Sequence, residues 1–254
     1  MTHSSLRLLH LTDTHLFADA GSRLRGVETH RTLSLVLEHA LQGAHGADAM
    51  LVTGDLAQDE SAGAYANFRA MLGACGLPVW CLPGNHDAPG FMTEVLADSP
   101  FQVGGALDSE AWSVLLLNSH VAGEHGGRLA ETELQWLRAA LAQRESRHVL
   151  LAIHHHVLPL GSLWLDELSL GNAADLLAII DQAPQVRAVL AGHVHQASEL
   201  ERRGVRYLTT PSTCFQFLPG VDTFAIDRRP PGFRRLTLQP DGRIETEVVW
   251  IAEP

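Results

Sequence analysis

The chain alternates short apolar runs, each closed by polar residues, with stretches whose apolar positions recur at helical spacing. Leu6 to Leu11 is an apolar run ending in Thr-Asp-Thr-His, which predicts a buried first strand. From Thr29, a plausible N-cap, Leu33, Val36, Leu37, Ala40 and Leu41 form one apolar stripe and predict a helix. Met50 to Thr53 predicts a second strand, Ser61 to Ala74 a helix, Val79 to Leu82 a third strand and Phe91 to Ala97 a short helix. Trp112 to Leu117 and Val149 to Ile153 predict two more strands, around a helix marked by Leu134, Leu137 and Leu141. A helix over Ala173 to Ile180 and a strand over Ala188 to Ala191 complete an α/β alternation. Beyond Gly192 the pattern changes to short extended segments with turn signals at Arg203-Gly204, Pro230-Pro231-Gly232 and Asp241-Gly242, which predicts an antiparallel β region. There is no internal repeat or low-complexity linker, so residues 1–254 are expected to pack as one domain.

Five polar clusters fall where predicted strands end: Asp13-Thr14-His15, Gly54-Asp55, Gly84-Asn85-His86-Asp87, His154-His155-His156 and Gly192-His193-Val194-His195. In open α/β sheets the carboxyl ends of strands line the ligand crevice, so these clusters are expected to converge. Residues two apart in an extended segment point to the same side, and Asp13 with His15, or His193 with His195, can then offer two ligands to one place. The preceding glycines let the backbone turn sharply and leave room for an ion. Taken singly, Asp-x-His or Gly-Asp is more often an ordinary turn; five clusters in series point to metal chemistry instead.

Composition narrows the field. Histidine is abundant, at 15 residues, and imidazole is a common transition-metal ligand. A formal net charge of −11 disfavours long nucleic acid as a partner. Three cysteines without CxxC spacing argue against a disulfide framework or thiolate site. No run reaches the roughly 20 apolar residues of a membrane span, so no membrane partner is expected. The N-terminal residues show no export signal, which makes the cytoplasm the default location.

The five clusters, in order, resemble the calcineurin-like metallophosphoesterase superfamily. The resemblance implies two packed mixed β-sheets flanked by α-helices, a four-layer α-β-β-α sandwich. It implies two divalent metal ions: Asp13, His15, Asp55 and His195 on one, and Asp55, Asn85, His154 and His193 on the other, with Asp55 bridging. Iron or manganese is the first expectation, with zinc and cobalt as alternatives. His86 resembles the family's catalytic histidine, which stabilises the transition state or protonates the leaving oxygen, and Asp87 would orient His86 or its loop. Gly54 to Asp59, His154 to Pro159, Gly161 to Asp166, Thr210 to Cys214 and Pro231 to Arg234 further resemble the bacterial cyclic AMP phosphodiesterases. Val157 departs from the proline common there after the histidine triplet, which would alter the loop over the substrate.

That narrower likeness implies hydrolysis of 3',5'-cyclic AMP to 5'-AMP by a hydroxide bridging the two ions. The substrate would meet His15, Asp55, Asn85, His86, His155, Trp164 and His195. Trp164 is expected either to stack adenine or to serve as an apolar lid, and His155 and His156 either face substrate or support the site from behind. A broader phosphodiesterase acting on glycerophosphodiesters, 2',3'-cyclic nucleotides or aryl phosphodiesters is the alternative, and a non-catalytic scaffold a third reading. Trp112 and Trp136 are expected in the core, His39, His45 and His148 on the solvated surface, and Asp59, Glu60 and Glu94 on solvated faces. The sequence does not fix the oligomeric state.

Overall fold

The computed structural model describes residues 4–42 and 46–252; His45 lies outside the described residues. The chain runs β1 (Leu6–Leu11), a small hairpin of β2 (Arg23–Leu24) and β3 (Val27–Glu28), α1 (Thr29–Gln42), β4 (Ala49–Thr53), α2 (Ala62–Gly73) and β5 (Val79–Leu82). Next come α3 (Pro89–Val95), β6 (Phe101–Val103), β7 (Gly105–Asp108), β8 (Trp112–Leu117), α4 (Glu131–Ala142) and β9 (His148–Ile153). After α5 (Leu163–Asp166), α6 (Ala173–Ile180) and β10 (Val186–Ala191), the chain closes with β11 (Ser198–Arg202), β12 (Val205–Thr209), β13 (Gln216–Phe217), β14 (Ile226–Asp227), β15 (Gly232–Leu238) and β16 (Ile244–Trp250).

Two six-stranded sheets result, in the orders β16-β15-β1-β4-β5-β6 and β11-β12-β10-β9-β8-β7. Both are mixed. In the first, β1, β4, β5 and β6 are parallel, β15 pairs antiparallel with β1, and β16 pairs antiparallel with β15. In the second, β8, β9, β10 and β12 are parallel, with β7 and β11 antiparallel at the edges. The region beyond Gly192 is therefore not wholly antiparallel. Its strand β12 extends the parallel sheet because the β11 hairpin reverses the chain beside it.

Alternation along the strands explains the layering. Leu9 and Leu11 face α1, α2 and α3, joining Leu33, Val36, Tyr65, Phe68 and Met92 in one outer core. Leu6 and Leu8 face the other way and meet Trp112, Leu150, Leu190 and Leu236 between the sheets. Leu151 and Ile153 pack against α4 and α6 on the far side. The four layers are thus helix, sheet, sheet, helix.

Several sequence expectations shift in detail. Thr29 is no N-cap; its hydroxyl donates to the His15 carbonyl at 2.9 Å and ties α1 to the His15 loop. Leu41 lies at the end of the stripe and is 37% exposed. Helix α3 starts at Pro89, whose fixed φ suits a first helical turn, and stops at Val95. Trp112 is buried and Trp136 half-buried against the outer core, but His148 is not fully solvated, because its ring packs 5.2 Å from Trp112. Asp59 is exposed yet holds the Ala18 N–H at 2.8 Å.

Candidate active site

Five strands from both sheets end at one rim. Asp13 and His15 follow β1, Asp55 follows β4, Asn85 and His86 follow β5, His154 follows β9, and His193 and His195 follow β10. The backbone there is not extended. Asp13, His15, Asp55, His193 and His195 have φ of 55°, 45°, 51°, 69° and 46°, a left-handed conformation uncommon for such residues. The pairing of side chains two apart thus arises from tight turns rather than from strand alternation. These turns are held by bonds across the rim: Asp13 N–H donates to the Gly54 carbonyl at 3.0 Å and His15 N–H to the Asp55 carbonyl at 2.9 Å. His193 N–H donates to both Asp13 carboxylate oxygens at 3.1 Å. Strain of this kind persists only where the surroundings over-determine it.

The glycines act in two ways. Gly54 has φ +94°, the conformational role expected of all three. Gly84 and Gly192 are needed for space instead. A Cβ on Gly84 would lie 2.2 Å from Asp55 Oδ1, and one on Gly192 would lie 2.0 Å from Thr12 Oγ1.

Hydrogen bonding fixes where the ring lone pairs point. His15 Nδ1 faces Gln58 Oε1 at 2.7 Å and His195 Nδ1 faces the Phe215 carbonyl at 2.8 Å, so both Nδ1 atoms donate. In the neutral rings the two Nε2 atoms then present lone pairs to each other at 3.1 Å, where no hydrogen is available to join them. His154 repeats the arrangement: Nδ1 donates to the Thr53 carbonyl at 2.7 Å, and Nε2 faces Asn85 Oδ1 at 3.1 Å and Asp55 Oδ1 at 3.4 Å. His193 Nε2 is buried without a partner. His15 Nε2 lies 3.6 Å from Asp55 Oδ2, and His195 Nε2 3.5 Å from Asp13 Oδ1. Ligand atoms of Asp13, His15 and His195, and of Asp13, Asp55 and His154, fall within 4.8 Å of one another. Buried acceptors converging on acceptors call for positive charge between them, and these residues fit divalent metal ions.

The titration shifts agree. Burial lowers His15 to about 4, despite the Asp55 carboxylate, and holds His193 well below its usual range. Burial would lower His154 too, but the Asp55 and Asp13 carboxylates raise it to about 9. Burial pushes the Asp13 and Asp55 carboxyls upward, yet facing imidazoles, His195 and His154 respectively, hold Asp13 below the usual carboxylate range and Asp55 well below it.

Around this cluster the other anticipated residues take distinct places. His86 lines the cleft, with its N–H donating to Asp55 Oδ1 at 2.9 Å and its ring 5.3 Å from that of His15. Asp87 does not touch the His86 ring. Its buried carboxylate accepts from the N–H groups of Leu56, Ala57 and Gly84, at 2.8 to 3.2 Å, and from Tyr65 Oη at 2.9 Å, which clamps the Asp55 loop to the Asn85 loop. His155 lies behind the cluster: Nδ1 pairs with Ser119 Oγ at 2.8 Å and Nε2 donates to the His125 carbonyl at 3.2 Å, so neither nitrogen is free for substrate. His156 Nε2 lies 3.5 Å from Asp166 Oδ1 on α5. Val157 is buried in the outer core and does not reach over the cleft.

The cleft has a volume of about 320 Å³, and Trp164 forms part of its wall. Trp164 meets Phe217 and Phe224 edge-on, with centroids at 5.1 and 5.4 Å, and Phe217 stacks on His195 at 4.3 Å. Arg25 lies 5.0 Å over Phe224. Sequence reasoning missed Gln58, Arg25, His125, Phe217 and Phe224 as lining residues. Only Gln58 carried a signal, lying three residues beyond Asp55 within a motif.

Among the described residues, no helix is long and apolar enough to cross a membrane. Residues 6–197 match the calcineurin-like phosphoesterase family. The chain is 42% identical over 98% of its length to the Escherichia coli K12 protein named 3',5'-cyclic adenosine monophosphate phosphodiesterase CpdA, covering 90% of that protein. It is 36% identical over 96% of its length to a Nostoc 3',5'-cyclic-nucleotide phosphodiesterase, covering 91% of it. Among solved structures, a dimetal phosphatase from Danio rerio shares the fold with a TM-score of 0.67 at 16% identity, over 97% of this chain and 99% of that one. The chain belongs to the calcineurin-like phosphoesterase family and, within it, to the branch of the bacterial 3',5'-cyclic AMP phosphodiesterases.

Proposed function

We propose that the protein hydrolyses 3',5'-cyclic AMP to 5'-AMP with two divalent cations bound at the rim. The observation that carries this reading is the set of imidazole lone pairs and carboxylate oxygens facing one another, above all His15 Nε2 against His195 Nε2 at 3.1 Å. Asp13, His15, Asp55 and His195 would hold one cation, and Asp55, Asn85, His154 and His193 the other. Nitrogen and oxygen ligands without thiolate suit iron or manganese, as well as zinc or cobalt. When bound, such a pair supplies an activated water and a clamp for phosphoryl oxygens. Two divalent ions against two carboxylates leave the site cationic, which favours an anionic phosphodiester.

The chain's own residues do the rest. His86, half-buried in the cleft, donates a hydrogen bond to the phosphoryl oxygens or a proton to the leaving 3' oxygen. Asp87 acts at one remove, as a positioning residue that fixes the loop carrying Asn85 and His86. Trp164, with Phe217 and Phe224, gives an aromatic wall on which adenine stacks. The choice of cyclic AMP rests on the activity for which the 42% identical Escherichia coli relative is named, and the 36% identical Nostoc relative, named for 3',5'-cyclic nucleotides, supports the ring class. Residues 1–254 are taken as one domain, because β1 and β15, from opposite ends of the chain, pair in one sheet.

Protein loaded with manganese or iron should convert 3',5'-cyclic AMP to 5'-AMP, with kcat/KM above that for 2',3'-cyclic nucleotides, glycerophosphodiesters and aryl phosphodiesters. A preference for one of those would make the enzyme a broader phosphodiesterase. His86→Ala should keep two metal equivalents and lose turnover by about a hundredfold; full activity in that variant would remove the role assigned to His86.

A further inference from the structure

Gln58 sits between the metal cluster and His86. Its backbone is pinned, with N–H donating to the Leu16 carbonyl at 2.7 Å, and its side chain lines the cleft. Oε1 faces His15 Nδ1 at 2.7 Å, and Nε2 faces His86 Nδ1 at 3.3 Å. The two contacts are not independent, because an amide has one acceptor end and one donor end. If His15 turns its Nε2 lone pair toward a cation, its Nδ1 carries the hydrogen and must meet an acceptor. The amide oxygen is that acceptor, which leaves the amide N–H for His86 Nδ1. In a neutral imidazole the nitrogen that accepts has no hydrogen, so the hydrogen of His86 is placed on Nε2. Among the described residues, Nε2 of His86 bonds to no protein atom. A Gln58 amide turned end for end would put a hydrogen between His15 and His195 and forfeit His15 as a ligand.

We infer that Gln58 is a positioning residue: it transmits the metal-binding orientation of His15 to His86 and keeps the His86 hydrogen on Nε2, ready to donate into the cleft. This rests on the metal reading of the rim given above. A neighbour that only accepts would pair with a hydrogen on His86 Nδ1 and leave Nε2 a bare lone pair in the neutral ring. The amide therefore sets which nitrogen is the donor.

Gln58→Met keeps the length of the side chain and removes both hydrogen bonds. Turnover of 3',5'-cyclic AMP, whose poor alkoxide leaving group gains from a hydrogen bond by Nε2–H as negative charge builds on it, should lose about 30-fold in kcat with KM changed less than about threefold. Turnover of bis(p-nitrophenyl) phosphate, whose phenolate spreads its charge over the ring and gains little from that hydrogen bond, should change less than about threefold, and two metal equivalents should remain. Independently of activity, nitrogen-15 NMR of zinc-loaded protein, with the His86 signal identified by its absence in His86→Ala, should show the Nε2–H form in the wild type. In Gln58→Met the two forms should be mixed. A wild-type His86 protonated on Nδ1 alone would overturn the proposal. So would an equal loss on both substrates accompanied by metal loss, which would reduce Gln58 to a support for His15. Wild-type protein inert toward 3',5'-cyclic AMP but with His86 in the Nε2–H form would fail the substrate reading and leave the Gln58 assignment standing.

Discussion

His10 stands on β1 one step beyond Leu8, on the face that turns toward the second sheet. Its ring is fully buried, with Nδ1 2.7 Å from Thr210 Oγ1 and Nε2 2.8 Å from Thr53 Oγ1. Burial, reinforced by Arg234 and opposed by Asp13, lowers its pKa from 6.5 to about 3. The fold therefore holds the neutral ring. Above pH 6.5 folded and unfolded chains are both neutral, and the contribution to stability is fully present. Below that value only the unfolded chain gains a proton, so stability falls progressively toward pH 3. At pH 5 the loss from this group is about 2 kcal/mol. His10→Gln keeps a donor and an acceptor but cannot titrate. Urea unfolding at pH 7 and pH 5 should show the drop between them shrink by about 2 kcal/mol in the variant. An unchanged drop would mean that the buried ring takes up a proton as readily as the unfolded one.

The site depends on how its elements end. Five ligand candidates share left-handed backbone, and the turns that carry them lie so close that Gly84 has no room for a methyl group. In Gly84→Ala the new Cβ would meet backbone as well as side chain, at 2.4 Å from Asp55 N, so a rotamer change cannot relieve it. Unfolding free energy should fall by about 3 kcal/mol, and metal analysis should show less than one equivalent per chain. Two bound equivalents would show that the loops can separate without losing the ions. Most strands were legible within one or two residues, because continuous apolar runs such as Met50 to Thr53 leave little choice of element. The edge strands β6 and β7 and the pairs β2–β3 and β13–β14 were not, since two to four residues hold no periodicity and their pairing is decided by neighbours. The same reason hid the aromatic wall: Phe217 and Phe224 belong to or border a two-residue strand. Asp-x-His was legible as a ligand pair, but spacing alone cannot tell a left-handed turn from an extended segment. Nor could a motif tell that His155 would be used up by Ser119 and His125.

At the scale of the molecule, the rim is where the two sheets meet through polar groups rather than apolar ones. Asp13, His15, Asp55 and Asn85 come from the first sheet, and His154, His193 and His195 from the second. Elsewhere the sheets hold together through Trp112, Leu150, Leu236 and their neighbours, which need no ion. Cations at the rim would join ligands that are scattered once the chain unfolds, so they should favour the folded state by mass action. At free metal about a hundredfold above its dissociation constant, that preference is about 2.7 kcal/mol for each ion. For a chain of this length, 1 kcal/mol moves the midpoint of thermal unfolding by about 2 to 4 °C. Stripping the ions with a chelator should therefore lower the midpoint by about 5 to 10 °C for one ion and more for two. Restoring manganese should return it, and the gain should rise with metal concentration. A midpoint indifferent to chelation and to added metal would mean that the seven residues do not share cations, and the facing lone pairs of His15 and His195 would then need another source of positive charge.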